Sequence, residues 1–121
     1  MSDRIHIDEL KLRTIIGITD QERRDRQDVV INLVLFVDSA KAGHSDDIAD
    51  APVNYRTLTK KIIAFVEGRQ FHLVEGLAES VADLCLEEPG IARVEVSVDK
   101  PGALRFAGSV GITIERERGH G

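Results

Sequence analysis

With a single cysteine in 121 residues, Cys85, the chain can build neither a disulfide framework nor a thiolate zinc site of its own. That usage suits a reducing compartment. Tryptophan is absent, and one tyrosine with four phenylalanines is too few for a platform that stacks nucleobases. A formal net charge of −5 gives no global attraction to nucleic acid either. The longest unbroken apolar run, Leu33 to Val37, falls far short of the roughly 20 residues a membrane-spanning helix needs. No charged-then-apolar leader opens the sequence. The expectation is a cytoplasmic protein with no nucleic-acid partner and no membrane. His6, His44, His72 and His120 show no metal-ligand spacing, and neither a Gly-rich phosphate loop nor a GxSxG elbow occurs. These absences weigh against a metal-dependent or serine hydrolase.

What is present is an ordinary globular balance, 42% hydrophobic and 31% charged. No repeat, low-complexity stretch or Pro/Gly-rich linker divides it, so residues 1–121 read as one domain, with a frayed tail expected over 117–121. Ile5 and Ile7 share one parity and Leu10, Leu12, Thr14 and Ile16 the other, which predicts a strand with a bulge near Asp8 and Glu9. Thr19 to Asp28 reads as a polar loop. Val29 to Val37 reads as a strand apolar on both faces and so covered on both sides. The pattern breaks into small and polar residues from Ala40 to Pro52, with a turn at His44-Ser45-Asp46-Asp47. Asn54 can cap a helix whose stripe is Leu58, Ile62, Phe65 and Val66. A second helix carries Leu73, Leu77, Val81 and Leu84 on one face and stops before Pro89-Gly90. Val94, Val96 and Val98, then Val110, Ile112 and Ile114, alternate with polar residues in two closing strands.

The order is β-β-α-α-β-β. It implies an α+β fold in which an antiparallel four-stranded sheet carries two helices on one face. The polar face of that sheet can meet bulk solvent, or it can line a wet tunnel if several sheets join edge to edge.

Few residues are placed for chemistry. Lys100 ends the third long strand before Pro101-Gly102-Ala103; it is a solvated charge or an amine at the mouth of a site. Glu75 lies in the first turn of the second helix, where the dipole favours a carboxylate and keeps it ionised. There it can also accept two parallel hydrogen bonds from a ring N–H and its neighbouring amino group. Tyr55 begins the first helix and can orient a proton or cover a flat ring. Glu22 sits in the polar loop. Arg23, Arg24 and Arg26 form a basic patch in an acidic protein, either a solvated edge or phosphate partners.

Ile16-Gly17-Ile18, Glu22, Arg26-Gln27-Asp28, Asn54-Tyr55, Leu73-Val74-Glu75 and Asp99-Lys100-Pro101-Gly102-Ala103 occur in an order that resembles the dihydroneopterin aldolase family, from about Ile5 to Glu115. The resemblance implies a tunnelling fold, with four subunits joining their sheets into a barrel and two rings stacking into a homo-octamer. It implies a dihydropterin substrate and active sites between subunits, with no metal and no cofactor. Carried over position by position, Glu75 and Val74 bind the pterin edge and Lys100 handles protons near the ring. Glu22 supports the lysine, and Tyr55 comes from the neighbouring subunit. Asn54-Tyr55-Arg56-Thr57 and Ala103-Leu104-Arg105 resemble the branch that epimerises C2' of a dihydropterin triphosphate. Lys100-Pro101 followed by Gly102-Ala103 is more like the branch that cleaves the side chain. For the triphosphate, Arg23, Arg24, Arg26, Lys60 and Arg105 are the candidate partners. A non-catalytic ligand-binding or scaffold protein on the same fold is the reading from another class.

Overall fold

A computed structural model describes residues 3–119. Its frame is a five-stranded sheet in the order β3-β1-β2-β4-β5, curled into a half-barrel. The strands are β1 (Asp3–Ile16), β2 (Gln27–Val37), β3 (Gln70–Phe71), β4 (Arg93–Pro101) and β5 (Ser109–Glu117). All neighbours are antiparallel except β3, which lies parallel to the last two residues of β1. The sequence pattern gives four strands; β3 is the fifth, and with two residues it has no periodicity to read.

The bulge falls where the parity of the apolar residues changes. Ile7 pairs with Leu33 and Leu10 with Ile31, so one extra residue of β1 is accommodated between them. Glu9 absorbs it at φ +53, and its N–H is satisfied by Asn32 Oδ1 at 2.7 Å. Ile5, Ile7, Leu10, Leu12 and Thr14 thereby all face the layer beneath the sheet.

Two long helices form that layer, α3 (Tyr55–Glu67) and α4 (Val74–Leu86). Asn54 caps α3, its Oδ1 accepting from the Thr57 N–H at 3.2 Å. Leu58, Ile62 and Val66 are buried beneath the sheet, while Phe65 is half-buried, tilted against Phe71 and covered by the Arg69 guanidinium. In α4 the core residues are Leu77, Ala78, Val81, Ala82 and Cys85. Leu73, expected in that stripe, is exposed, because it is the N-cap and precedes the helical period. From the sheet, Val29, Ile31, Leu33, Leu35, Val94, Val96 and Val98 complete the core. Burying a side chain of this size stabilises the fold by about 1.5–3 kcal/mol.

Three short elements occupy stretches read as loop. Thr19 to Asp28 contains α1 (Asp20–Arg24), and the segment before Pro52 contains α2 (Ala40–Ser45) and a 3₁₀ turn at Ile48–Asp50. None buries a residue, so no apolar stripe announces them. The second face of β2 is also barer than expected. Val30, Asn32 and Val34 are half-buried, and Phe36 is buried there beneath the guanidinium groups of Arg4 and Arg93. At the end of the described chain, β5 runs to Glu117. Glu117 closes β5 opposite Arg93, and Arg118 donates to the carbonyl oxygens of Leu86, Glu88 and Pro89. His120 and Gly121 lie outside the described residues. No helix of the described residues is long and apolar enough to cross a membrane.

Candidate active site

Four chain segments converge at one end of the sheet: the end of β1, helix α1, the start of α4 and the end of β4. Gly17 N–H bonds the Phe71 carbonyl at 3.1 Å, so the short β3 brings the start of α4 beside the end of β1. Lys100 is the centre of this meeting. It has the parity of Val94, Val96 and Val98, so its side chain points to the covered face of β4 rather than into solvent. Only 11% of that side chain is exposed. A solvated lysine is therefore excluded, and the parity of the strand already carried that information.

The ammonium group has a carboxylate partner from 78 residues away. Lys100 Nζ lies 3.1 Å from Glu22 Oε2 and 3.5 Å from the Ile16 carbonyl oxygen. Glu22 reaches it because Thr19 and Glu22 form a capping box: the Thr19 hydroxyl accepts from the Glu22 N–H, and the Glu22 carboxylate accepts from the Thr19 N–H. The Lys100 hydrogen bond, assisted by those main-chain donors, holds the Glu22 carboxyl down at about 2. The Glu22 carboxyl is thus ionised near neutral pH, an acceptor held 3.1 Å from the Lys100 Nζ. Thr19 was not among the candidate residues, although the Thr-x-x-Glu spacing signals it.

Glu75 stands in the first turn of α4 at this same end and is exposed; its carboxylate takes no partner among the described residues. The N-cap, Leu73, makes no side-chain cap, so the first N–H groups of α4 are also uncommitted. Val74 is half-buried and packs on the core. A cleft of about 270 Å³ beside Glu22 is lined by Thr19, Gln21, Asp25 and Gln27.

The three arginines do not act as one cluster. Arg23 donates to the carbonyl oxygens of Gly17 at 3.3 Å and Phe71 at 2.8 Å, and to Gln70 Oε1 at 3.0 Å. Arg26 donates to the carbonyl oxygens of Arg13 and Glu67, closing the C-terminal end of α3. Arg24 alone is exposed with its charge uncommitted among the described residues. Lys60 is exposed on α3, and Arg105 lies over the Phe106 ring in the β4–β5 loop.

Tyr55 is elsewhere. The C-terminal turn of α3 is bound to the site end of β1, since the Thr14 hydroxyl lies 2.8 Å from the Val66 carbonyl oxygen. Tyr55 opens the same 13-residue helix, about 18 Å away along its axis. There it is 57% exposed and lines, with Ile48, Ala51, Val53, Asn54 and Arg56, a separate cleft of about 600 Å³. Tyr55 and the residues gathered around Lys100 therefore lie at opposite ends of α3. Among the described residues, no group of His, Cys, Asp and Glu side chains is arranged to hold a metal ion.

Comparison with known proteins gives one family. The chain matches the dihydroneopterin aldolase (FolB) family over residues 5–115. It is 47% identical over 115 residues to the dihydroneopterin triphosphate 2'-epimerase of Pseudomonas aeruginosa, covering 95% of this chain and 93% of that one. Against the dihydroneopterin aldolase of Escherichia coli it is 38% identical over 114 residues, covering 94% and 93%. The crystal structure of the Escherichia coli aldolase in complex with neopterin superposes with a TM-score of 0.89 at 38% identity, covering 94% of this chain and 98% of that one.

Proposed function

This chain belongs to the dihydroneopterin aldolase family, and from that footing we propose that it inverts C2' of 7,8-dihydroneopterin triphosphate by retro-aldol cleavage and re-addition. The observation that carries the chemistry is the 3.1 Å pairing of a nearly buried ammonium with an ionised carboxylate. The preference for epimerisation rests on the 47% identity to an epimerase, against 38% to an aldolase, over almost the same length.

The substrate's own chemistry defines what the site must do. Loss of the 2'-hydroxyl proton lets the C1'–C2' bond break, with its electron pair flowing into the N5=C6 imine. A proton delivered at N5 then leaves an enamine and a glycolaldehyde. Lys100 delivers the proton at the ring and takes it back on re-addition, its Nζ oriented by Glu22. Glu75 accepts the paired N–H donors of the pterin edge, with Val74 beside it and the free N–H groups of α4 close by. If the aldehyde turns before it is re-added, C2' inverts. If C1' is protonated first and the aldehyde leaves, the product is 6-hydroxymethyl-7,8-dihydropterin and the enzyme is an aldolase, which is the second reading.

Tyr55 completes the site from a neighbouring copy. The length of α3, about 18 Å from Tyr55 to its last residue, supports this arrangement, because no local movement of a helix start spans it. In the assembly we envisage, four sheets join through their free edges and two rings stack, giving an octamer in the cytoplasm. Arg24 is the arginine whose charge is left for the triphosphate. Incubation with 7,8-dihydroneopterin triphosphate and, separately, 7,8-dihydroneopterin tests the reading. Conversion of the triphosphate to its C2' epimer with little 6-hydroxymethyl product is expected. Release of 6-hydroxymethyl-7,8-dihydropterin as the main reaction would instead assign the aldolase.

A further inference from the structure

Glu22 faces Lys100 in one orientation of its carboxylate, and the turn before α1 sets that orientation. Oε2 is the oxygen 3.1 Å from Lys100 Nζ. Oε1 points the other way and accepts from the Ile18 N–H at 3.2 Å, the Thr19 N–H at 3.3 Å and the Thr19 hydroxyl at 3.2 Å. The same hydroxyl oxygen accepts from the Glu22 N–H at 3.1 Å, so Thr19 grips both ends of the residue. Gly17 makes room for this. At φ +141, a β-carbon there would lie 2.4 Å from Glu22 Cδ and 2.5 Å from Oε1. The carboxylate fills the space that a side chain at position 17 would need.

Besides Thr19, the Glu22 side chain is held by Lys100 at Oε2 and by the Ile18 N–H at Oε1. Helix α1 has five residues and buries none of them, so the core does not anchor it. The terminal torsion of a glutamate is soft and has no steep wells of its own. We propose that Thr19 is a positioning residue for the proton pair: its hydroxyl holds Oε1 so that Oε2 faces Lys100, in the pocket that Gly17 leaves open. The inference rests on the reading of Lys100 and Glu22 as the proton-handling groups. Lys100 from β4 is the charged side chain in contact with Glu22. Asp20, Arg23 and Arg24 flank Glu22 on α1, with Asp25 as its C-cap and Arg23 turned to Gly17, Gln70 and Phe71. The facing ends of β1 and β3, residues Ile15, Ile16, Gln70 and Phe71, carry no charge.

Three variants of the full-length protein separate positioning from mere folding. Thr19→Ser keeps both functions of the hydroxyl. Thr19→Asp caps α1 as well as threonine does but cannot donate to Oε1, and Thr19→Val does neither. Turnover within about twofold of the parent is expected for Thr19→Ser. A loss of roughly tenfold or more in kcat, at a KM within about twofold, is expected for the other two. Parental kcat in Thr19→Asp and Thr19→Val would overturn the proposal, as would a Thr19→Ser variant as slow as Thr19→Val. Glu22→Gln tests the underlying reading, which falls if that variant turns over at the parental rate. Carboxyl ¹³C NMR of Glu22 in Thr19→Val then still decides the role of Thr19. A titration midpoint raised above the parental one supports the grip, and an unmoved midpoint removes it.

Discussion

The Thr14 hydroxyl lies 2.8 Å from the carbonyl oxygen of Val66 and 3.0 Å from that of Arg69, and Thr14 is wholly buried. One side chain of β1 thus closes the end of α3 and fixes where the chain turns toward β3 and α4. Thr14→Val keeps the shape but leaves the carbonyl oxygens without that donor. It should cost about 1–3 kcal/mol of stability, read from urea unfolding, with Thr14→Ser much milder. Equal midpoints for Thr14→Val and the parent would show that the hydroxyl is dispensable.

Lys100→Met separates chemistry from folding. The stem of Lys100 lies on the apolar face of β4, where methionine has similar shape, and Glu22 keeps its main-chain donors. Losing the charge-assisted bond to Glu22 should cost about 1.5–3 kcal/mol of stability. Turnover should fall by about 10²–10⁴-fold while pterin still binds, measured by rapid mixing and by fluorescence titration. Unchanged turnover would remove Lys100 from the mechanism.

The Glu22 carboxyl, held at about 2 by Lys100 and the Thr19 N–H, gives the fold a specific acid response. Its folded-state value is below the ordinary glutamate value. Its contribution is therefore complete above about pH 4.5 and is lost as pH falls through about 2. Urea midpoints measured from pH 6 to pH 2 should fall more steeply for the parent than for Glu22→Gln. Parallel curves would mean that the pair contributes nothing to stability.

Arginine substitutions should sort by what each guanidinium touches. Arg24→Ala should raise KM for the triphosphate by about three- to tenfold and leave the unphosphorylated compound unaffected. Arg23→Ala and Arg26→Ala strip donors from main-chain carbonyls and should lower the melting temperature instead. A phosphate-selective KM effect from Arg26→Ala, with unchanged melting, would reverse this division.

Long periodic segments were legible from the residues alone. The alternation in β2, β4 and β5, the parity change at Glu9 and the cap at Asn54 each follow from one short-range physical rule. The misses share a cause. A two-residue strand and a five-residue helix are too short for any period; the strand is held by pairing with β1 and by the Gly17 N–H, the helix by the capping box at Thr19. At the site, the residue types were readable but their commitments were not. Arg23 and Arg26 look like free charges until Phe71 and Glu67, more than 40 positions away, present their carbonyl oxygens. Lys100 was the reverse case, since its own strand's alternation turns it inward.

The irregularity at Glu9 bears on how this protein could change its shape. Every partner across β1 and β2 on the N-terminal side is offset by one position from those beyond it. Deleting Glu9 would therefore leave Ile5 opposite Leu35 and Ile7 opposite Leu33, with the apolar side chains still facing inward. What such a deletion takes away is the bend, because an added residue is what bows a strand against a straight neighbour. One inserted residue thus sets the local bend of β1 while the apolar parity on either side of it is kept.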